Sequence, residues 1–189
     1  MTGLRLAAIV LAAGSGSRFG GNKLTAPYGE GLLIDGALHA ARIAPVEEVV
    51  VVTGADPKVI EHVQAIADPR LRLVYAQDHA TGLSASLKTG LAALPAGIDG
   101  VFVFLGDMPR IPTMVFPALC EAIDNGAPAA APVFGGRRGH PVVFASGLFD
   151  ELMELEGDKG ANGLLDALGE QVVTVPARDD GVLFDVDTR

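Results

Sequence analysis

Arg18 and Lys23 close a stretch dense in glycine and serine, Leu11-Ala12-Ala13-Gly14-Ser15-Gly16-Ser17-Arg18-Phe19-Gly20-Gly21-Asn22-Lys23. Glycine lets a backbone approach a ligand closely, and successive free N–H groups form a concavity suited to anions. Arg18 can grip phosphate oxygens as a fork and Lys23 as a point charge. The chemistry this suggests is triphosphate binding; the alternative is a surface turn with two solvated cations. Two familiar phosphate loops do not fit. The third glycine of a dinucleotide fingerprint is replaced by Phe19, and Lys23 is followed by Leu24 rather than by Ser or Thr.

Asp107 stands just beyond an apolar run, in Leu-Gly-Asp-Met-Pro at 105–109. A carboxylate mounted there suits Mg²⁺, which takes one or two carboxylates together with phosphate oxygens and water. Asp185 and Asp187 alternate onto one side of the terminal segment. Asp187 either completes a metal site with Asp107 or belongs to a polar terminus. Gly82-Leu83-Ser84-Ala85-Ser86 opens a helix, so its N–H groups and hydroxyls serve as a cap, as contacts to a base, or as a second phosphate site. Arg137 and Arg138 either meet an anionic second substrate or form a solvated hairpin tip. His140, in Gly139-His140-Pro141, has a hydrogen-bonding or a structural role. Gly157-Asp158-Lys159-Gly160 either meets the same anionic substrate or forms a plain turn, the turn being favoured. Cys120, the single cysteine, lies in an apolar helical pattern and reads as core.

Position comes from the elements around these residues. Leu6–Leu11 and Glu47–Thr53 are apolar runs of the kind buried on both faces of a parallel sheet. Further strands are expected at Leu71–Ala76, Gly100–Leu105, Ala129–Phe134, His140–Phe144 and Gln171–Pro176. Helices are expected over Leu32–Ile43, Pro57–Ala67, Ser84–Leu94, from a Thr113 cap to Asn125, Leu148–Leu155 and Ala161–Leu168. Strand–helix alternation over the first two thirds implies a mostly parallel sheet covered on both faces. Right-handed crossovers set the strands' carboxyl ends along one edge, where open α/β sheets bind ligands. The glycine loop, the 77–84 loop and Gly106-Asp107 all follow such ends. The final third reads as a β excursion with a basic tip.

The 189 residues suggest a single domain, with residues 1–126 as a nucleotide-binding half and 127–189 as an acceptor-binding half. Hydrophobic residues form 49% of the chain, enough for a substantial core, and the net charge of −9 argues against nucleic acid as a partner. No apolar run reaches membrane-spanning length and no signal-peptide layout opens the chain, so a cytoplasmic protein with no membrane partner is expected.

In sequence order, the motifs resemble those of the molybdenum-cofactor nucleotidyltransferases. They are Leu-Ala-Ala-Gly-x-Gly-x-Arg-Phe-Gly…Lys-Leu at 11–24, Gly-Leu-Ser-Ala-Ser-Leu at 82–87, Leu-Gly-Asp-Met-Pro at 105–109, Gly-His-Pro-Val at 139–142, Gly-Asp-Lys-Gly-Ala at 157–161 and Asp-Val-Asp-Thr at 185–188. Ala12-Ala13 looks more like the cytidylyltransferase branch than the guanylyltransferase branch. The resemblance implies a Rossmann-like, three-layer α/β/α fold. It implies transfer of a nucleotide from CTP, with GTP the alternative donor, to a phosphorylated acceptor. Molybdopterin is the favoured acceptor and a sugar phosphate the next. By the same resemblance residues 11–18 and Lys23 hold the nucleotide, with Arg18 and Lys23 on its phosphates. Gly82 and Ser84 lie near base and ribose, Asp107 and Asp187 hold Mg²⁺, and Gly139, His140 and Pro141 face the acceptor. Asn22 stands where the family usually has aspartate, and Met108 where it usually has glutamine. A nucleotide-binding accessory protein without catalysis is the rival reading.

Overall fold

Strand β1 (Leu6–Ala12) runs through the middle of the sheet and is buried along its whole length. Its side chains alternate between two cores. Leu6, Ala8, Val10 and Ala12 join one cluster, and Ile9 and Leu11 the other. The computed structural model describes residues 3–14, 23–54, 56–157 and 160–186.

A short hairpin follows, β2 (Pro27–Tyr28) with β3 (Gly31–Leu32), then α1 (Leu33–Ile43), β4 (Glu48–Thr53), α2 (Pro57–Gln64) and β5 (Leu71–Tyr75). The chain continues through α3 (Leu83–Ala92), β6 (Gly100–Leu105), α4 (Phe116–Asp124), β7 (Ala129–Phe134), β8 (Arg137–Arg138) and β9 (Val142–Ala145). It ends with α5 (Phe149–Met153), α6 (Asn162–Leu168) and β10 (Val172–Pro176). The main sheet has the order β10-β7-β9-β6-β1-β4-β5, with β8 paired to β7. β9 runs antiparallel to both of its neighbours, and β6, β1, β4 and β5 pair in parallel.

Val49 to Val52 of β4 are fully buried, and each such valine contributes about 1.5–3 kcal/mol by leaving water. A run apolar on both sides must be covered on both sides. α1, α2 and α4 cover one face; α3, α5 and α6 cover the other, giving the three layers expected.

The same logic alters the picture of the last third. Val142, Val143 and Phe144 are all buried, so β9 slots between β7 and β6 inside the main sheet rather than standing out as an excursion. The basic tip, β8, is the part that protrudes, with Arg137 and Arg138 exposed. Thr113 opens a 3-10 turn over Thr113–Val115 and caps no helix with its side chain; α4 starts at Phe116. The end of the chain forms a turn at Asp180–Val182. No helix among the described residues is long and apolar enough to cross a membrane.

Candidate active site

β1 lies between β4 and β6, where the order of connection reverses, and a crevice opens at the carboxyl ends of such a pair. The glycine loop leaves β1 here and Asp107 leaves β6. Leu11 pairs with Leu105 in register, and the Gly106 N–H donates to the Leu11 carbonyl at 3.0 Å. A Cβ on Gly106 would stand 3.0 Å from that oxygen, so this turn admits glycine best.

Lys23 arrives at the same place by a separate anchor. Leu24 is buried and packs beside Gly106. The turn is pinned to the start of α1, where Leu33 N–H donates to Ala26 and Ile34 N–H to Leu24. Thr25 donates to the buried Asp56, which also caps α2 through the Lys58 N–H. With its neighbours held in this way, Lys23 Nζ meets Asp107 Oδ2 at 2.8 Å, the two side chains being 11% and 27% exposed. Two residues 84 positions apart, both candidates for chemistry from the sequence, thus form one charge-assisted hydrogen bond.

A third segment closes on this edge. Val186 N–H donates to the Asp107 carbonyl, so the last described segment runs beside Asp107. Asp187 itself lies outside the described residues, as do Ser15, Gly16, Ser17 and Arg18 of the loop and Asp158 and Lys159 of the later turn. Arg110 lies over the Phe184 ring at 3.9 Å and donates to the Tyr28 hydroxyl, tying this segment to the hairpin of β2 and β3.

Leu11, Ala12 and Ala13 are buried, so what they can offer a nucleotide is backbone; Gly14 is exposed. Gly82 has φ +128°, a conformation that favours glycine, at the entry to α3. Ser84 is buried and its hydroxyl donates to the Gly157 carbonyl at 2.5 Å, so it clasps the 155–157 segment to α3. Ser86 is buried as well. Arg138 pairs with Asp166 of α6, and Arg137 stays at the exposed tip.

Gly139, His140 and Pro141 lead into β9 beside this edge. A Cβ on Gly139 would fall 2.2 Å from the Val182 carbonyl, which accepts the His140 N–H at 2.8 Å. His140 Nδ1 is 3.5 Å from the Val103 carbonyl. Burial pushes the imidazole below its usual pKa, against the opposing pull of the Val103 carbonyl and Asp107, so the ring is held neutral near pH 7. Cys120 is buried in the core and its thiol is pushed up to about 11 by burial, which makes it inert.

Among the described residues, no group of three or more His, Cys, Asp or Glu side chains gathers as a metal cage. The donor set at Asp107 does fit a hard divalent cation of the kind that takes phosphate oxygens and water for its remaining ligands. A carboxylate has about four lone-pair sites, so accepting Lys23 leaves capacity for a cation.

The sequence did not reveal the Leu24 and Thr25–Asp56 anchors or the Val186–Asp107 bond, because apolar anchors, backbone contacts and side-chain bonds between distant residues have no motif.

A mostly parallel α/β sheet with a switch point between β1 and β6 is an architecture that takes its ligands at the strands' carboxyl ends. The chain belongs to the MobA-like NTP transferase family, whose domain matches residues 8–172, and is a nucleotidyltransferase of that type. It is similar to the purine catabolism protein PucB of Bacillus subtilis, 31% identical over 97% of this chain and 92% of that protein. It is also similar to the nicotine blue oxidoreductase of Paenarthrobacter nicotinovorans, at 29% over 95% and 91%. The molybdenum cofactor cytidylyltransferase of Escherichia coli is 27% identical over 71% of this chain and 67% of that one. Among solved structures, a homologue of Mycobacterium tuberculosis Rv0371c from Mycobacterium sp. strain JC1 superposes with TM-score 0.84 and 32% identity, covering 98% and 92% of the two chains. Rv0371c in complex with manganese, 22% identical with TM-score 0.76 over 92% and 88%, shares the fold.

Proposed function

We propose that the protein transfers a nucleoside monophosphate from a nucleoside triphosphate to a phosphorylated small acceptor, with Mg²⁺. CTP is the favoured donor and molybdopterin the favoured acceptor. The observation that carries this reading is the Lys23–Asp107 ion pair at the carboxyl ends of β1 and β6. It sets a phosphate-seeking cation against a metal-seeking carboxylate on the ligand edge of the sheet.

An oxygen of the acceptor phosphate forms a bond to the α-phosphorus, and the bond to the bridging oxygen of pyrophosphate breaks. A phosphate monoester is already a nucleophile near neutral pH, so no general base is required. The protein supplies position and charge neutralisation. The Gly14 loop amides, Arg18 and Lys23 hold the phosphates, and Gly82 and Ser84 border the base and ribose. Asp107 and Asp187 would hold Mg²⁺, which when bound offsets the charge on the triphosphate and on the leaving pyrophosphate. The segment Gly139–Pro141 faces the acceptor.

The likeness to a cytidylyltransferase and the Ala12-Ala13 sequence support CTP. The test is thermal shift with each of the four nucleoside triphosphates, with and without Mg²⁺, since bound ligand raises the melting temperature by mass action. Pyrophosphate release with CTP, Mg²⁺ and acceptor is then compared with Asp107→Ala. The expected result is a Mg²⁺-dependent shift with CTP and a fall in release of about 10²–10³-fold in the variant. A flat response to all four nucleotides would sink the proposal. Nucleotide binding with no Asp107-dependent release, across a panel of acceptors, would leave a binding protein.

A further inference from the structure

Helix α3 buries Ser84, Ser86, Leu87, Gly90 and Leu91 and leaves Ala85, Lys88 and Thr89 half-buried. These last three border a cleft of about 460 Å³, walled also by the end of the 3-10 turn His79–Thr81 and by residues 155–157 beyond α5. The volume falls within the range of about 300–1,000 Å³ that small-molecule sites occupy. Neither Lys23 nor Asp107 lines it.

Three charged side chains converge on this cleft: Lys88 from α3, Asp78 from the start of the 3-10 turn, and Glu156. They share the same walls, yet none of the three forms an ion pair among the described residues. The hydroxyls of the lining are already committed as donors. Thr81 donates to the Asp78 carbonyl at 2.7 Å, Ser84 to the Gly157 carbonyl at 2.5 Å, and Thr89 to the Ala85 carbonyl at 3.0 Å. A hydroxyl has one proton, so toward the cleft all three can only accept, as the two carboxylates do. Among the described side chains of the lining, Lys88 alone donates to a ligand.

We propose that the cleft binds a small diamino monocarboxylate, the chemistry of a basic amino acid. Its carboxylate meets Lys88, and its two ammonium groups meet Asp78 and Glu156 in charge-assisted hydrogen bonds. Charges then match one for one, two negative and one positive on the protein against two positive and one negative on the ligand. Other classes fit worse. A dicarboxylate or a phosphate finds one donor against two carboxylates and three accepting hydroxyls. A plain diamine sets a like charge before Lys88. A neutral polyol leaves all three charges without a counter-ion. The chain's net charge of −9 also favours a ligand with a net positive charge. The inference goes beyond the transferase reading and stands or falls without it.

The experiment is a ¹H–¹⁵N chemical-shift titration of the whole chain at fixed pH and ionic strength, since salt screens exposed charges. The probes are L-lysine, 1,5-diaminopentane, which lacks the carboxylate, and glutarate, which lacks the ammonium groups. Lysine is expected to shift the Ala85, Thr89 and Glu156 amides saturably in about the millimolar range, as fits pairs that are partly exposed. Diaminopentane is expected to bind at least about threefold more weakly, and glutarate to shift none of these amides. Lys88→Gln keeps a good helix former at an exposed turn of α3, so the fold should hold. It is expected to raise the lysine dissociation constant about threefold or more and to leave diaminopentane binding unchanged or tighter. Four results overturn the proposal: no saturable shift with lysine at these amides, glutarate shifts as large as those of lysine, diaminopentane binding as tight as lysine, or a lysine dissociation constant unaltered in Lys88→Gln.

Discussion

At the scale of single residues, what the sequence showed was charge, and what it hid was burial. Lys23 and Asp107 were visible as chemistry because a cation after a glycine run and a carboxylate after a buried strand are legible in one dimension. Their contact was not, since it depends on Leu24 packing beside Gly106. Met108 shows the reverse. Against the family pattern it looks like a lost polar group at the site, yet it is 2% exposed and sits in the apolar core under α1 and α4. Its departure is therefore a packing choice. Met108→Gln, which restores the family residue, would bury an amide among apolar neighbours at a cost of about 1–3 kcal/mol. In a chain of this size that lowers the melting temperature by about 2–4 °C per kcal/mol. Calorimetry on the variant checks it. An unchanged or higher melting temperature would mean that a polar partner for residue 108 exists in this fold.

At the scale of elements, periodicity was a good guide to which segments form helices and strands and a poor guide to how they are fastened. β1, β4 and β6 were legible because strands buried on both faces read as unbroken apolar runs. β9 has the same signature, but its place between β6 and β7 depends on a reversal that no local pattern encodes. The fastening of α1 was also unread. Asp35 accepts the Leu32 N–H at 2.7 Å and, with its other oxygen, meets His62 of α2 at 2.5 Å. It thus satisfies an end group of α1 and joins two helices on one face. Asp35→Ala is expected to cost about 0.5–2 kcal/mol, the range for losing a helix-terminal acceptor. Asp35→Asn keeps an acceptor and is expected to recover part of this in urea melts. Because the start of α1 also pins the Lys23 turn, the alanine variant should speed hydrogen exchange at the Ile34 amide, which donates to Leu24. Exchange unchanged at Ile34 would show that the turn holds without the cap.

At the scale of the whole molecule, the last described segment, 179–186, is bonded to the chain at two separate places, beside Asp107 and beside His140. Val182 takes the His140 N–H, Val186 gives its own to Asp107, and Phe184 lies under Arg110. Val182 is fully buried, so this strap is part of the core. Its approach depends on Gly181, where an added Cβ would fall 2.1 Å from the Arg110 carbonyl. Backbone cannot yield as a flexible side chain does, so Gly181→Ala must lift the strap or move the Asp107 turn. Overpacking of this kind costs about 1–3 kcal/mol, so the melting temperature should fall by several degrees. Lost stability alone would not distinguish a strap from any other crowded site; its two ends can. If one segment positions both sides, hydrogen exchange at the His140 and Val186 amides should rise together in Gly181→Ala, while amides in the middle of α3 keep their protection. A rise at one amide without the other would show that Asp107 and His140 are held independently.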